Sequence, residues 1–182
     1  MIAFISGGAR SGKSTHAEAL VRRWQAERGG ERYYLATARS SGDAEMLARI
    51  GRHRQARGEG WLTIEEPFDL LAALDRVAPG STLLLDCLTL WASQLLYASP
   101  LDEALGIAMV ERTLATARQQ DIALVIVSND VNEGIPPDDD EVWRYLAFLQ
   151  QVHCLVAREA DEVIQVVAGL PQVWKCQGSR QP

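Results

Sequence analysis

Short, nearly continuous apolar runs alternate along this chain with segments whose apolar positions recur at helical spacing. The runs IAFIS (2–6), RYYLATA (32–38), STLLLDCL (81–88), IALVIVSN (122–129) and DEVIQVVAG (161–169) read as strands buried on both faces. Helical patterns occupy 13–27, 43–57, 68–78, 88–98, 102–120 and 140–160. This order predicts an α/β class: an open, mostly parallel, doubly wound sheet with helices on both faces. Gly169 and Pro171 interrupt the last apolar segment, VIQVVAGLPQVWK, so two strands joined by a turn are expected there, forming an antiparallel edge hairpin. No repeat or linker divides the 182 residues, a length that suits a single domain, 1–182.

Charge and cysteine content narrow the picture. A formal charge of −6 gives no general attraction to nucleic acid or to an anionic membrane. The basic stretch RIGRHRQAR (49–57) is a local exception, suited to a phosphorylated small molecule. Cys87, Cys154 and Cys176 are odd in number, far apart and in no metal-ligand spacing, which argues against a disulfide framework and for a reducing compartment. The apolar start of the chain is only about five residues before the glycines, whereas a signal-peptide core needs roughly 7–15 and a spanning helix about 20. A cytoplasmic protein is expected.

The candidate chemistry begins at GGARSGKST, residues 7–15, between a predicted strand and a predicted helix. Gly7-x-x-x-x-Gly12-Lys13-Ser14 in that setting is the phosphate-binding loop pattern of a P-loop protein. Glycines let successive backbone N–H groups of Gly7, Gly8, Ala9, Arg10, Ser11 and Gly12 turn toward one anion, and the helix N-terminus carrying Thr15 adds partial positive charge. Lys13 is expected to reach the β- and γ-phosphates of a nucleoside triphosphate, and the Ser14 hydroxyl to ligate Mg²⁺. Asp86 ends the run LLLD, where strand ends converge on the ligand crevice. It is a second candidate for the metal, against a structural reading in which it caps the following helix. Ser128, Asn129 and Asp130 follow another strand, and projection into the crevice and simple turn formation both fit them. His153, in an apolar helical stretch, reads as a core histidine, and the run 138–141 as a helix cap with an acidic first turn.

Beyond the loop, the chain carries in order YLATA, D-x-E-M-x-x-R-I-x-x-H-R (43–54), GW-x-T-I-E-x-P, LLLDCLTLW, VSNDV-x-x-GI-x-P and ADEV-x-x-VVAGLP. Together with GGARSGKS these motifs resemble the bifunctional adenosylcobinamide kinase/adenosylcobinamide-phosphate guanylyltransferase family over nearly the whole length. The resemblance implies phosphorylation of adenosylcobinamide by a nucleoside triphosphate (ATP or GTP), followed by transfer of GMP from GTP onto that phosphate. It places a guanylylated histidine at His53, with Arg49 and Arg54 beside it, and implies a homotrimer. Read without the resemblance, His53 is better explained as an exposed polar residue on a basic helix face.

The likeness weakens in one region. Where members read VSNEVGMGIVPEN and then R-x-F-R-D-x-x-G-x-x-N-Q, this chain has VSNDVNEGIPPDD and WRYLAFLQQVHC. The helix concerned is expected to shape the corrinoid site or a subunit contact. A P-loop small-molecule kinase without nucleotidyl transfer is therefore the alternative. A GTP-dependent switch would carry a guanine-reading Asn-Lys-x-Asp element, which the sequence lacks.

Overall fold

The computed structural model describes residues 1–38, 58–131 and 138–176. Its strands form one seven-stranded sheet. In chain order the elements are β1 (Ile2–Gly7), α1 (Lys13–Arg28), β2 (Arg32–Ala36), β3 (Leu62–Glu65), α2 (Leu70–Leu74) and β4 (Thr82–Asp86). Then follow α3 (Leu88–Ala98), α4 (Glu103–Gln119), β5 (Ala123–Asn129), α5 (Asp140–Glu159), β6 (Glu162–Val167) and β7 (Leu170–Cys176). The strand order is β3-β2-β4-β5-β1-β6-β7, parallel throughout except for the β6–β7 pair. The expected α/β class and the antiparallel C-terminal hairpin are both present. Ala168 and Gly169 both have positive φ, as a two-residue hairpin turn that follows the strand twist requires.

Alternation of side chains along each strand divides the core in two. Ile2, Phe4, Leu83, Leu85, Leu124 and Ile126 face one way and pack against α2, α3, α4 and α5. Ala3, Ile5, Leu84, Val125 and Val127 face the other way and pack against Ala17, Leu20, Val21 and Trp24 of α1. Strands covered on both sides need apolar residues at every position, hence the continuous runs in the sequence.

Two elements depart from the sequence reading. LTIE (62–65) forms the edge strand β3, paired with β2 through Tyr33↔Leu62 to Ala36↔Glu65. Only Ile64 of the four is buried, so the apolar run that would announce a strand is missing. The helix expected over 68–78 has only five helical residues. Asp69 starts it by accepting from the Leu71 and Ala72 N–H groups at 3.0 Å. After Leu74 the bonds of Arg76 and Val77 reach back three residues, to the Ala73 and Leu74 carbonyls, and the chain tightens before Pro79. The predicted helix 43–57 lies outside the described residues.

Between α4 and α5 the packing is close at Gly106, where an added Cβ would stand 2.7 Å from Phe148 Cζ and 3.1 Å from Leu95 Cδ2. Gly106→Leu is expected to destabilise the fold by about 1–3 kcal/mol, because Phe148 is fully buried and has nowhere to retreat. Urea unfolding checks this: an unchanged midpoint would mean that the two helices separate freely.

Candidate active site

The loop after β1 turns through Arg10 (φ 58°) and Gly12 (φ 91°) before α1 begins at Lys13. At Gly12 the left-handed backbone favours glycine. At Gly7 close approach demands it: a Cβ would lie 2.5 Å from the Val166 carbonyl oxygen and 2.6 Å from Ser11 Oγ. The hairpin turn also braces the loop, with Gly169 N–H donating to the Ser11 carbonyl at 2.8 Å. Gly7, Gly8, Ala9, Arg10, Ser11 and Gly12 thus form a fixed turn whose far end is the N-terminus of α1, with Ser14 and Thr15 in the first helical turn. Lys13 is not the surface residue a loop position suggests. It is buried, at 8% exposure, and its Nζ donates to the Gly8 carbonyl at 3.0 Å, folded back across its own loop.

Register brings the other strand ends to this loop. Gly7 pairs with Asn129, and Ala36 with Asp86. Counting alternate residues from the core clusters puts Gly7, Asn129, Ala36 and Asp86 on the face that α1 covers. Asp86 does not cap α3. The cap position is Cys87, in the left-handed region at φ 73°, and it makes no side-chain cap bond. Instead the Asp86 carboxylate accepts from the Tyr34 hydroxyl, two residues along the neighbouring strand on the same face. Thr37 Oγ1 secures the backbone there, donating to the Asp86 and Cys87 carbonyls at 3.1 and 3.2 Å. Tyr34 and Thr37 carry no mark in the sequence; only parallel pairing reveals that they support Asp86.

Ser128 and Asn129 separate by the same alternation. Ser128 faces the other helices, fully buried, bonded to Thr89 Oγ1 at 2.8 Å and to His153 Nε2 at 2.7 Å. Asn129 is half-buried on the α1 face, its Nδ2 3.9 Å from Cys87 Sγ. Asp130 N–H donates to the Gly7 carbonyl at 3.0 Å, and its carboxylate accepts from Gln165 Nε2 at 3.4 Å. Burial pushes the His153 imidazole down to about 4, against a smaller upward pull from Asp130. A base whose folded value lies below its ordinary value takes up its proton on unfolding first, so its contribution to stability falls as pH drops from about 6.5 toward 4. Over that window the unfolding midpoint of His153→Gln is expected to fall less steeply than that of the wild type; parallel slopes would refute it. Asp139, capping α5 through the Glu141 and Val142 N–H groups, accounts for the acidic run.

His53, Arg49 and Arg54 lie outside the described residues. Among the described residues no group of three or more His, Cys, Asp or Glu side chains could hold a metal ion, and no helix is long and apolar enough to cross a membrane. The cysteines form no disulfide.

Structural likeness agrees with this geometry. The fold matches a KaiC-like protein from Pyrococcus horikoshii over 100% of this chain and 81% of that one, with a TM-score of 0.59 and 13% identity. It also matches the flagellar accessory protein FlaH from Methanocaldococcus jannaschii over 99% and 81%, with a TM-score of 0.53 and 14% identity. These likenesses place the chain in the P-loop NTPase-like fold. Sequence relationships are closer. The bifunctional adenosylcobalamin biosynthesis protein CobP of Pseudomonas aeruginosa is 39% identical over 172 residues, covering 94% of this chain and 95% of that protein. CobU of Escherichia coli, described as a bifunctional adenosylcobalamin biosynthesis protein, is 32% identical, with 93% and 97% covered. Residues 3–173 match a family described as cobinamide kinase / cobinamide phosphate guanyltransferase. With the loop, the strand ends and nearly the full length in agreement, this chain is an enzyme that belongs to the cobinamide kinase / cobinamide phosphate guanyltransferase family.

Proposed function

We propose that the chain, acting as one nucleotide-binding domain over 1–182, phosphorylates adenosylcobinamide and then transfers GMP from GTP onto the new phosphate. The observation that carries this reading is the placement of the 7–15 loop, buried Lys13 and Asp86 at the C-terminal ends of parallel strands β1 and β4, on the sheet face that α1 covers, in a chain of this family. In the first step the loop N–H groups and Lys13 hold the triphosphate. The substrate hydroxyl attacks the γ-phosphorus, loses its proton, and the nucleoside diphosphate departs.

Ser14 and Asp86 fit Mg²⁺. One hydroxyl and one carboxylate are the sparse protein donors that a hard ion sharing its shell with phosphate oxygens and water requires. When bound, the ion would neutralise charge on the phosphates. Tyr34 keeps the Asp86 carboxylate oriented. Asp86→Asn is expected to lower turnover at limiting Mg²⁺ by tenfold or more, with little change in melting temperature, because no helix cap is lost. Equal turnover would return Asp86 to a structural role.

In the second step neutral His53 attacks the α-phosphorus of GTP, and pyrophosphate leaves. The cobinamide phosphate oxygen then displaces the imidazole, so one difficult transfer becomes two easier ones. Arg49 and Arg54 neutralise triphosphate charge during the first of these displacements. A homotrimer, supported by the family resemblance, and a cytoplasmic location, supported by the scattered cysteines, complete the reading. The test is incubation with adenosylcobinamide, ATP, GTP and Mg²⁺, followed by mass analysis of the corrinoid. GDP-cobinamide supports the whole reading. Cobinamide phosphate alone supports the kinase without nucleotidyl transfer, which the altered α5 sequence WRYLAFLQQVHC favours. Unchanged corrinoid overturns both.

A further inference from the structure

We infer that His153 is a positioning residue for the phosphate-transfer site, acting through Ser128 and Thr89 on the end of β5 although it lies on the opposite side of the sheet from α1. The inference rests on the functional reading above and extends it to a residue that the reaction does not itself require.

The contacts form one continuous chain. Asn129 N–H donates to Thr89 Oγ1 at 2.7 Å, Thr89 Oγ1 lies 2.8 Å from Ser128 Oγ, and Ser128 Oγ lies 2.7 Å from His153 Nε2. Only one set of proton positions uses every group. Thr89 accepts from the Asn129 backbone, and its own proton finds an acceptor within the chain when it goes to Ser128. Ser128 in turn gives its proton to His153. In that arrangement Nε2 is the bare nitrogen, with the ring proton on Nδ1. Ser128 is wholly buried and Thr89 is 9% exposed, so a hydroxyl deprived of its acceptor there is not rescued by solvent. The ring cannot easily swing away, because it packs against Phe4 with centroids 5.3 Å apart.

What the chain holds is the floor of the site. The Asn129 backbone pairs with Gly7, the first loop glycine, while Thr89 stands in the first turn of α3, three residues after Asp86. The Tyr145 hydroxyl also donates to the Thr89 carbonyl at 3.1 Å, so α5 holds that turn directly through Tyr145 and indirectly through His153 and Ser128. Loss of the His153 acceptor frees the Ser128 and Thr89 hydroxyls to rotate, and with them the spacing between Gly7 and Asp86. Misplacement of this kind reduces the rate of an in-line transfer more than it weakens nucleotide binding, which the loop and Lys13 supply.

Two substitutions separate positioning from packing. His153→Phe keeps an aromatic ring against Phe4 and removes the acceptor, while His153→Gln restores an acceptor near Nε2 and removes the ring. With adenosylcobinamide, ATP and Mg²⁺, the Phe variant is expected to lose about tenfold in kcat, with nucleotide KM changed by less than about threefold, and the Gln variant to recover most of the loss. A folded Phe variant with wild-type kcat, or a Gln variant no better than Phe, overturns the proposal. Long-range ¹H–¹⁵N spectra of the wild-type protein decide the hydrogen-bond chain even if the Phe variant does not fold. A ring protonated on Nδ1, with a Nε2 resonance that moves in Ser128→Ala, supports it; a ring protonated on Nε2 overturns it. Absence of corrinoid turnover in the wild type would remove the functional reading, and the spectra would still judge the contacts independently.

Discussion

Lys13→Ala is expected to abolish nucleotide-dependent turnover, by at least about a hundredfold, while the protein stays folded. The ammonium group is the single positive side chain that the loop itself directs at its own interior, 3.0 Å from the Gly8 carbonyl and 8% exposed. Removing one charged donor from a water-poor site of charge development costs on the order of 10²–10³ in rate. The fold tolerates the change because the ammonium's only described bond is to a loop carbonyl, and neither core cluster includes Lys13. Turnover, calorimetric affinity for GTP and the melting transition should be measured on one preparation. A folded variant that binds GTP as tightly as the wild type would show that the loop grips no phosphate through this side chain.

His53→Asn should separate the two half-reactions. If the imidazole carries GMP, wild-type protein treated with GTP and Mg²⁺ acquires a label from α-labelled GTP that survives denaturation and base and is lost in acid. The Asn variant acquires none. Phosphorylation of adenosylcobinamide persists in that variant, since direct transfer of the γ-phosphoryl group needs positioning and charge rather than a covalent histidine. Adduct formation requires the neutral ring, so its rate should fall as pH drops through the histidine pKa, about 6.5 when unperturbed. An Asn variant that makes GDP-cobinamide at the wild-type rate would show that GMP passes from GTP to the corrinoid in a single displacement.

The phosphate-binding loop was readable in one dimension because its determinants are local. Gly7, Gly12, Lys13 and Ser14 act within a single turn, and the strand and helix that flank it are set by adjacent residues. The parallel sheet was readable for a related reason: burial on both faces leaves continuous apolar runs, and the turn at Ala168–Gly169 follows from a glycine two residues before a proline. β3 escaped because an edge strand with one buried residue in four has no such run. The support of Asp86 by Tyr34, the division of Ser128 from Asn129 onto opposite faces, and the link from Ser128 to His153 escaped for another reason. Each joins residues 25 to 52 positions apart, or turns on which face a strand end presents. Side-chain alternation fixes the face only once the partners in the sheet are known, and that register is a property of the assembled strands. The sequence therefore determined which chemistry the chain brings to a nucleotide. The tertiary structure decided which carboxylate and which amide share the loop's face of the sheet, and which buried hydroxyls and imidazole stand behind them.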